Sequence, residues 1–164
     1  MDVGFGDALS IIPEEITFPV LLGMKAPKLR AYSRETVVAE KLEAIVELGM
    51  VNTRFKDYFD LHFLALKFAF EGAALSTSIA MTFNRRGTPF PDGLPVGLTP
   101  TFSQDPAKML GWEAFCRKTV SKAAVPALDE IVQRLIEFLE PPLAAAAKGE
   151  KLRKNWGSAG WTEV

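Results

Sequence analysis

Two cations and two carboxylates fall within one short run, Arg54-Phe55-Lys56-Asp57-Tyr58-Phe59-Asp60-Leu61, and a further cation, Lys41, lies upstream among apolar residues. Ammonium and guanidinium groups serve to neutralise anions, above all carboxylates and phosphates. Carboxylates one helical turn apart can hold such a cation or orient it. The run therefore has the residue types for binding and positioning a charged substrate.

Two helices must position these groups. On a wheel of about 100° per residue, Val37, Val38, Leu42, Ile45 and Leu48 form a packing face for the first helix. Glu40, Glu43 and Glu47 form the opposite face, which is expected to be solvated. Lys41 falls on the apolar side. Its ammonium either snorkels to water along the edge of the stripe or is aimed into a cleft to meet an anionic group. Ser33 or a neighbour caps this helix, Glu35 suits its first turn, and Gly49 ends it.

The second helix, about Phe55 to Phe70, is apolar nearly all round and is expected to be central. Asp57 projects to the side of Leu64 and Phe68, a poor place for a merely solvated carboxylate. Asp57 and Asp60 also answer the positive end of the helix dipole, and Lys56 can pair with Asp60 at i, i+4. Lys41 and Asp57 are expected on a common concave surface, within hydrogen-bonding or water-bridged reach.

The rest of the chain reads as scaffold. Asp2 to Leu9 alternates with period two and reads as a strand with an unusually bare second face. Ile16 to Leu22 fits an edge strand interrupted by Pro19, and Leu29 to Tyr32 a short returning strand. Ala73 to Phe83 makes a third helix that ends in Arg85-Arg86, two cations that either touch an RNA backbone or serve the helix dipole. Gly87 to Thr101, rich in proline and glycine, is expected to be less ordered than its flanks or held down by another chain. Asp105-Pro106 starts a helix presenting Met109, Trp112, Phe115 and Cys116. A last helix from about Pro126 presents Leu128, Ile131, Leu135 and Leu139, and Pro141-Pro142 is expected to end it. Residues 1–142 read as one domain and 143–164 as a flexible tail, with Trp156 and Trp161 as exposed aromatics.

The 164 residues are enough for one domain with a real core. A net charge of −1 excludes general attraction to polyanions, so any nucleic-acid contact must come from a local patch. No apolar run approaches the roughly 20 residues a membrane helix needs, and no signal peptide precedes the first motif. A single cysteine, Cys116, and a single histidine, His62, rule out an internal disulfide and a zinc constellation built on them. The cytoplasm is the expected compartment.

Glu40-Lys41-Leu42-Glu43-Ala44 followed by Arg54-Phe55-Lys56-Asp57-Tyr58-Phe59-Asp60-Leu61 resembles the late motifs of the AbiEii/AbiGii-type nucleotidyltransferases, abortive-infection and toxin proteins of bacteria and archaea. Asp2-Val3-Gly4-Phe5-Gly6-Asp7 and Leu29-Arg30-Ala31-Tyr32-Ser33-Arg34-Glu35 are also similar to that family, and the likeness runs to about Pro142. The resemblance implies transfer of a nucleotide from a nucleoside triphosphate to an RNA or protein acceptor, with Mg2+ as the metal. It implies catalytic roles for Lys41, Asp57 and Asp60, nucleotide contacts by Lys41, Arg54 and Lys56, and metal binding by Asp2. It also implies an antitoxin as partner.

The family's first motif, a glycine-rich turn followed by Asp-x-Asp, does not occur in the sequence. The chain accordingly reads as the C-terminal part of such an enzyme, truncated or split and inactive alone, with a missing N-terminal half as a second candidate partner. The expected fold is helix-rich α+β: a small remnant of the nucleotidyltransferase sheet followed by about five helices. An exposed sheet edge would allow self-association. The competing reading is a non-enzymatic helical module that binds a partner protein.

Overall fold

The computed structural model describes residues 14–17, 28–119 and 125–164, the first two strands by their backbone alone. The expected strand over Asp2 to Leu9 lies outside the described residues. β1 (Glu14–Thr17) pairs antiparallel with β2 (Lys28–Ala31), Glu14 opposite Ala31. The chain then enters α1 (Arg34–Leu48). Ser33 is extended, and its hydroxyl accepts the Thr36 N–H at 3.2 Å, so the cap read from the sequence forms. Gly49, at φ 48°, ends the helix by returning its N–H to the Ile45 carbonyl, a conformation that favours glycine. A single 3-10 turn, Gly49–Val51, leads towards α2 (Phe55–Lys67).

α1, not α2, is the central helix. Its buried residues, Thr36, Val38, Ala39, Leu42, Glu43, Ala44 and Ile45, point in nearly every direction around the axis. α3 (Gly72–Arg86) packs on it through Leu75, Ile79 and Phe83, each fully buried. α6 (Leu128–Ala147) closes the core with Ile131, Leu135, Phe138 and Leu139. Each such side chain stabilises the fold by roughly 1.5–3 kcal/mol relative to exposure, which makes this seam dominant over any surface ion pair. α2 buries Phe55, Tyr58, Leu61 and Ala65 but leaves Phe63 48% and Leu66 53% exposed. A helix apolar all round is thus half-covered here, because the described core offers it only one side.

The helix-rich α+β class expected from the sequence is the one observed. The described residues form six helices, one of them the single turn α4 (Pro100–Ser103). Their larger sheet is not at the front of the chain. It orders β3 (Phe70–Glu71), β4 (Lys154–Gly157) and β5 (Gly160–Glu163), all antiparallel, so the C-terminal hairpin supplies two of its three strands.

That hairpin corrects two expectations. Pro141-Pro142 does not end α6, which continues to Ala147. Two prolines remove the N–H groups that would have reached the carbonyls of Glu137 and Phe138. The Trp161 indole N–H takes their place, 3.0 Å from the Glu137 oxygen and 3.2 Å from that of Phe138. Trp156, expected to be exposed, is 2% exposed, and its indole N–H donates to the Ala65 carbonyl at 2.8 Å. Ala65 lies in the last turn of α2, where carbonyls lack intrahelical partners. Residues 154–163, read as a frayed end, therefore serve both helices.

Gly87 to Thr101 is corrected as well. Phe90 stacks on Phe83 at 4.7 Å, Leu98 is fully buried, and the Tyr58 hydroxyl donates to the Gly97 carbonyl at 2.9 Å. Gly97 fits because a Cβ there would lie 2.7 Å from Ile45 Cγ2 and 3.0 Å from Tyr58 Oη. Side-chain anchors replace the backbone hydrogen bonds that the prolines cannot make. Beyond it, α5 (Pro106–Thr119) starts as expected, with Asp105 Oδ1 accepting the Lys108 N–H at 3.0 Å. Of the residues expected to pack, Trp112 is buried while Met109 is 48% exposed.

The two tryptophans should differ on substitution. Trp156→Phe orphans a buried carbonyl and should cost about 1–3 kcal/mol, whereas water can replace Trp161 at its more open carbonyls, so Trp161→Phe should cost less. Urea midpoints measure both, and an equal or reversed order would contradict the roles given to the two indoles.

Candidate functional site

Lys41 and the charges of α2 meet at one place. Lys41 Nζ donates to Asp57 Oδ1 at 2.6 Å and lies 2.8 Å from Asp60 Oδ2. Asp57 and Asp60 stand one turn apart on α2, so a single ammonium from α1 bridges both. Lys56 Nζ approaches Asp60 Oδ2 at 2.7 Å, the i, i+4 pair read from the sequence. Arg54 Nε lies 3.0 Å from Asp57 Oδ2, close enough for an ion pair but too poorly aimed for a hydrogen bond. Burial is graded across the cluster. The side chains of Asp57 and Lys41 are 7% and 18% exposed, those of Arg54 and Lys56 60% and 68%.

The protonation states follow from the contacts. Burial acts to lower the pKa of Lys41, but its hydrogen bonds and charge interactions with Asp57 and Asp60 outweigh this and raise it. Burial acts to raise the pKa of Asp60, and Lys41 and Lys56 outweigh it in the other direction. Both groups are charged throughout the neutral range. Burial, and then the charge of Asp57, push the Tyr58 phenol well above its ordinary value, which keeps it the donor that Gly97 needs.

Five of the six candidate residues, Lys41, Arg54, Lys56, Asp57 and Asp60, are brought together; Asp2 lies outside the described residues. Lys41 meets anionic groups as one of its two readings required, but they are carboxylates of its own chain. An ammonium has three donors; one bonds Asp57 Oδ1, and Asp60 Oδ2 lies within ion-pair distance of the same nitrogen.

The acidic face of α1 is solvated only in part: Glu47 is exposed as expected, but Glu40 is half-buried and Glu43 is buried. Glu43 is 3% exposed, accepts the Thr88 hydroxyl at 2.6 Å and faces Arg86 Nη1 at 3.0 Å. Glu40 accepts from Arg85 Nη2 at 2.8 Å. The arginine pair that closes α3 thus meets the glutamates of α1. This second cluster went unread because a wheel shows which residues share a face, not what will cover it.

The described residues do not fit a divalent metal. No group of three or more His, Cys, Asp or Glu among them could hold one, and Lys41 already contacts both Asp57 and Asp60. A metal there would have to displace the lysine. They do fit an anion: Arg54 and Lys56 are largely exposed and flank the buried centre, a planar fork and a point charge side by side. No helix among the described residues is long and apolar enough to cross a membrane.

A family model described as "Nucleotidyl transferase AbiEii toxin, Type IV TA system" matches residues 1–134. The matched range contains all six candidate residues and ends inside α6. No curated protein and no solved structure matches the chain.

Removing the central ammonium should be far costlier than removing the outer one. Lys41→Met leaves Asp57 buried and facing only Arg54, and should lower stability by about 3 kcal/mol, while Lys56→Met should cost less than about 1 kcal/mol. The difference between wild type and Lys41→Met should also depend on pH. The depressed pKa of Asp60 stabilises the fold above its ordinary value of 3.8, a contribution lost as pH falls through the folded value. The raised pKa of Lys41 stabilises it below 10.5, a contribution lost as pH rises through the folded value. The gap should be flat from about pH 5 to about pH 9 and narrow on either side. Urea unfolding from about pH 3 to about pH 11 measures it, and a gap that stays flat at both ends would show that the ion pairs contribute nothing.

Proposed function

The chain belongs to the AbiEii nucleotidyl transferase toxin family, and on that premise we propose that the Lys41 cluster is the cationic half of a nucleotidyl-transfer site. The observation that carries this reading is the bridging of Asp57 and Asp60 by Lys41, with Arg54 and Lys56 held outward on either side. Nucleotidyl transfer is an in-line displacement at phosphorus in which a pyrophosphate leaves carrying developing negative charge. A bound nucleoside triphosphate supplies the reacting phosphorus and that leaving group. Arg54 and Lys56 would hold its phosphates, and their fixed positions would neutralise the charge without reorganisation. Asp57 aims Arg54, Asp60 aims Lys56, and Lys41 fixes both carboxylates.

The reading extends to an RNA or protein hydroxyl as acceptor, to the cytoplasm as the place of action, and to an antitoxin as the counterpart that a toxin–antitoxin family implies. The family chemistry uses Mg2+, and the sequence has no Asp-x-Asp to bind it. We therefore propose that Asp2 is one metal carboxylate, that the paired aspartates come from a segment outside these 164 residues, and that the chain alone does not transfer nucleotides. A second reading, a non-enzymatic module, draws on the exposed Phe63 and Leu66 of α2, an apolar surface suited to another protein.

One experiment separates them. The chain is incubated with magnesium, each labelled triphosphate and total RNA, with and without a family segment carrying the glycine-rich turn and Asp-x-Asp. Labelling only with the added segment, abolished by Lys41→Ala, is the expected result. Labelling by the chain alone would overturn the placement of the metal carboxylates, and no labelling in either case would favour the binding module. Binding of ATP to the chain alone should be weak, fall with salt, and fall severalfold further in Arg54→Ala and in Lys56→Ala.

A further inference from the structure

We propose that Asn52 and Lys108 are positioning residues for Arg54, holding the turn between α1 and α2 so that the guanidinium stands over Asp57 at the mouth of the site. This rests on the reading of Arg54 as a phosphate contact. Asn52 is fully buried. Its Oδ1 accepts the Arg54 N–H at 2.8 Å, and its own carbonyl accepts from Lys108 Nζ at 2.9 Å. Its N–H returns to the Gly49 carbonyl at 3.2 Å. The residue is thus tied to the end of α1, the start of α2 and the first turn of α5 together.

Arg54 needs that tie. It precedes α2 in a non-helical conformation, φ −82° and ψ 61°, and its own side chain caps nothing. Its carbonyl accepts the Asp57 N–H at 2.9 Å, so the backbone of Arg54 sets where Asp57 starts as well as where the guanidinium stands. Lys108 is braced in turn. Asp105 holds its N–H, its ammonium lies 5.2 Å from the centre of the Phe102 ring, and that ring stacks on Tyr58 at 5.2 Å. Tyr58 is the neighbour of Asp57, so the brace ends where the site begins.

The cost of Asn52 shows that it is more than filler. Its Nδ2 is enclosed and finds no acceptor among the described residues. An orphaned buried donor destabilises a fold, and a leucine of similar volume would avoid it. What asparagine supplies and leucine cannot is the acceptor for Arg54.

Asn52→Leu in the full chain is therefore the test. It leaves net charge unchanged and removes the orphaned donor together with the acceptor. The melting temperature should be unchanged or higher. Exchange of the Arg54 backbone N–H, followed by NMR, should become roughly fivefold faster, the equivalent of about one hydrogen bond. Affinity for inorganic tripolyphosphate should fall by a similar factor. Lys108→Met, which keeps the stem on Phe102, should reproduce both changes beyond those of Lys118→Met, a matched loss of charge elsewhere on α5, and Lys108→Arg should restore them. If Asn52→Leu fails to fold, the Lys108 series decides. Unchanged Arg54 exchange in a folded variant overturns the proposal. A wild-type chain that does not bind tripolyphosphate would instead overturn the phosphate-binding role of Arg54, and the exchange measurement would still decide whether Asn52 positions it.

Discussion

The structure depends on one ammonium. Lys41 reaches from α1 to Asp57 and Asp60 of α2, and in doing so fixes the relative rotation of two helices that share little else polar. A buried ion pair gains little net stability over apolar packing of the same volume, because desolvation offsets most of the attraction. Its effect is geometric. Two carboxylates one turn apart admit the ammonium in one arrangement, and a rotation of either helix would leave a charge buried without its partner. The outer cations then pair with carboxylates whose positions are already set, Arg54 with Asp57 and Lys56 with Asp60. Three cations against two carboxylates leave the cluster with one net positive charge, facing outward where the exposed pair stands.

α1 is held the same way from its other side. Glu40 and Glu43 meet Arg85 and Arg86 where α3 ends, and Thr88 completes the shell around the buried Glu43. The helix carries opposite charges on opposite faces and answers each with a different neighbour. That explains how a helix buried nearly all round can carry Lys41, Glu40 and Glu43 among its covered residues. Each charge is neutralised where it enters the interior, so the central position of α1 and the placement of Lys41 are one fact seen twice.

What the sequence made legible was local. Ser33 and Gly49 mark the ends of α1 because caps act within a turn of themselves. The pairing of Lys56 with Asp60 is helix geometry, and the conjunction of Lys41 with Asp57 followed from a charge placed on an apolar face. What stayed hidden was what covers each surface. The burial of Glu43 requires knowing that α3 ends beside it. The continuation of α6 through Pro141-Pro142 requires an indole N–H from twenty residues further on, at Trp161. Asn52 gave no sign at all, since a small polar residue between two helices reads as a turn.

The C-terminal hairpin bears on the site although it lies far along the chain. The family match ends at residue 134, before β4 and β5. Yet Trp156 of β4 holds the last turn of α2 through the Ala65 carbonyl, and Arg134 lies 4.7 Å from the centre of the Trp156 indole. α2 is therefore fixed at both ends by different means, at its start by Asn52 and Lys41 and at its finish by Trp156. A helix pinned only at its first turn would be free to swing its carboxylates by tilting about that point. Pinned at both ends, it presents Asp57 and Asp60 to Lys41 as a rigid edge. The residues beyond the match belong to the machinery that places the charges within it.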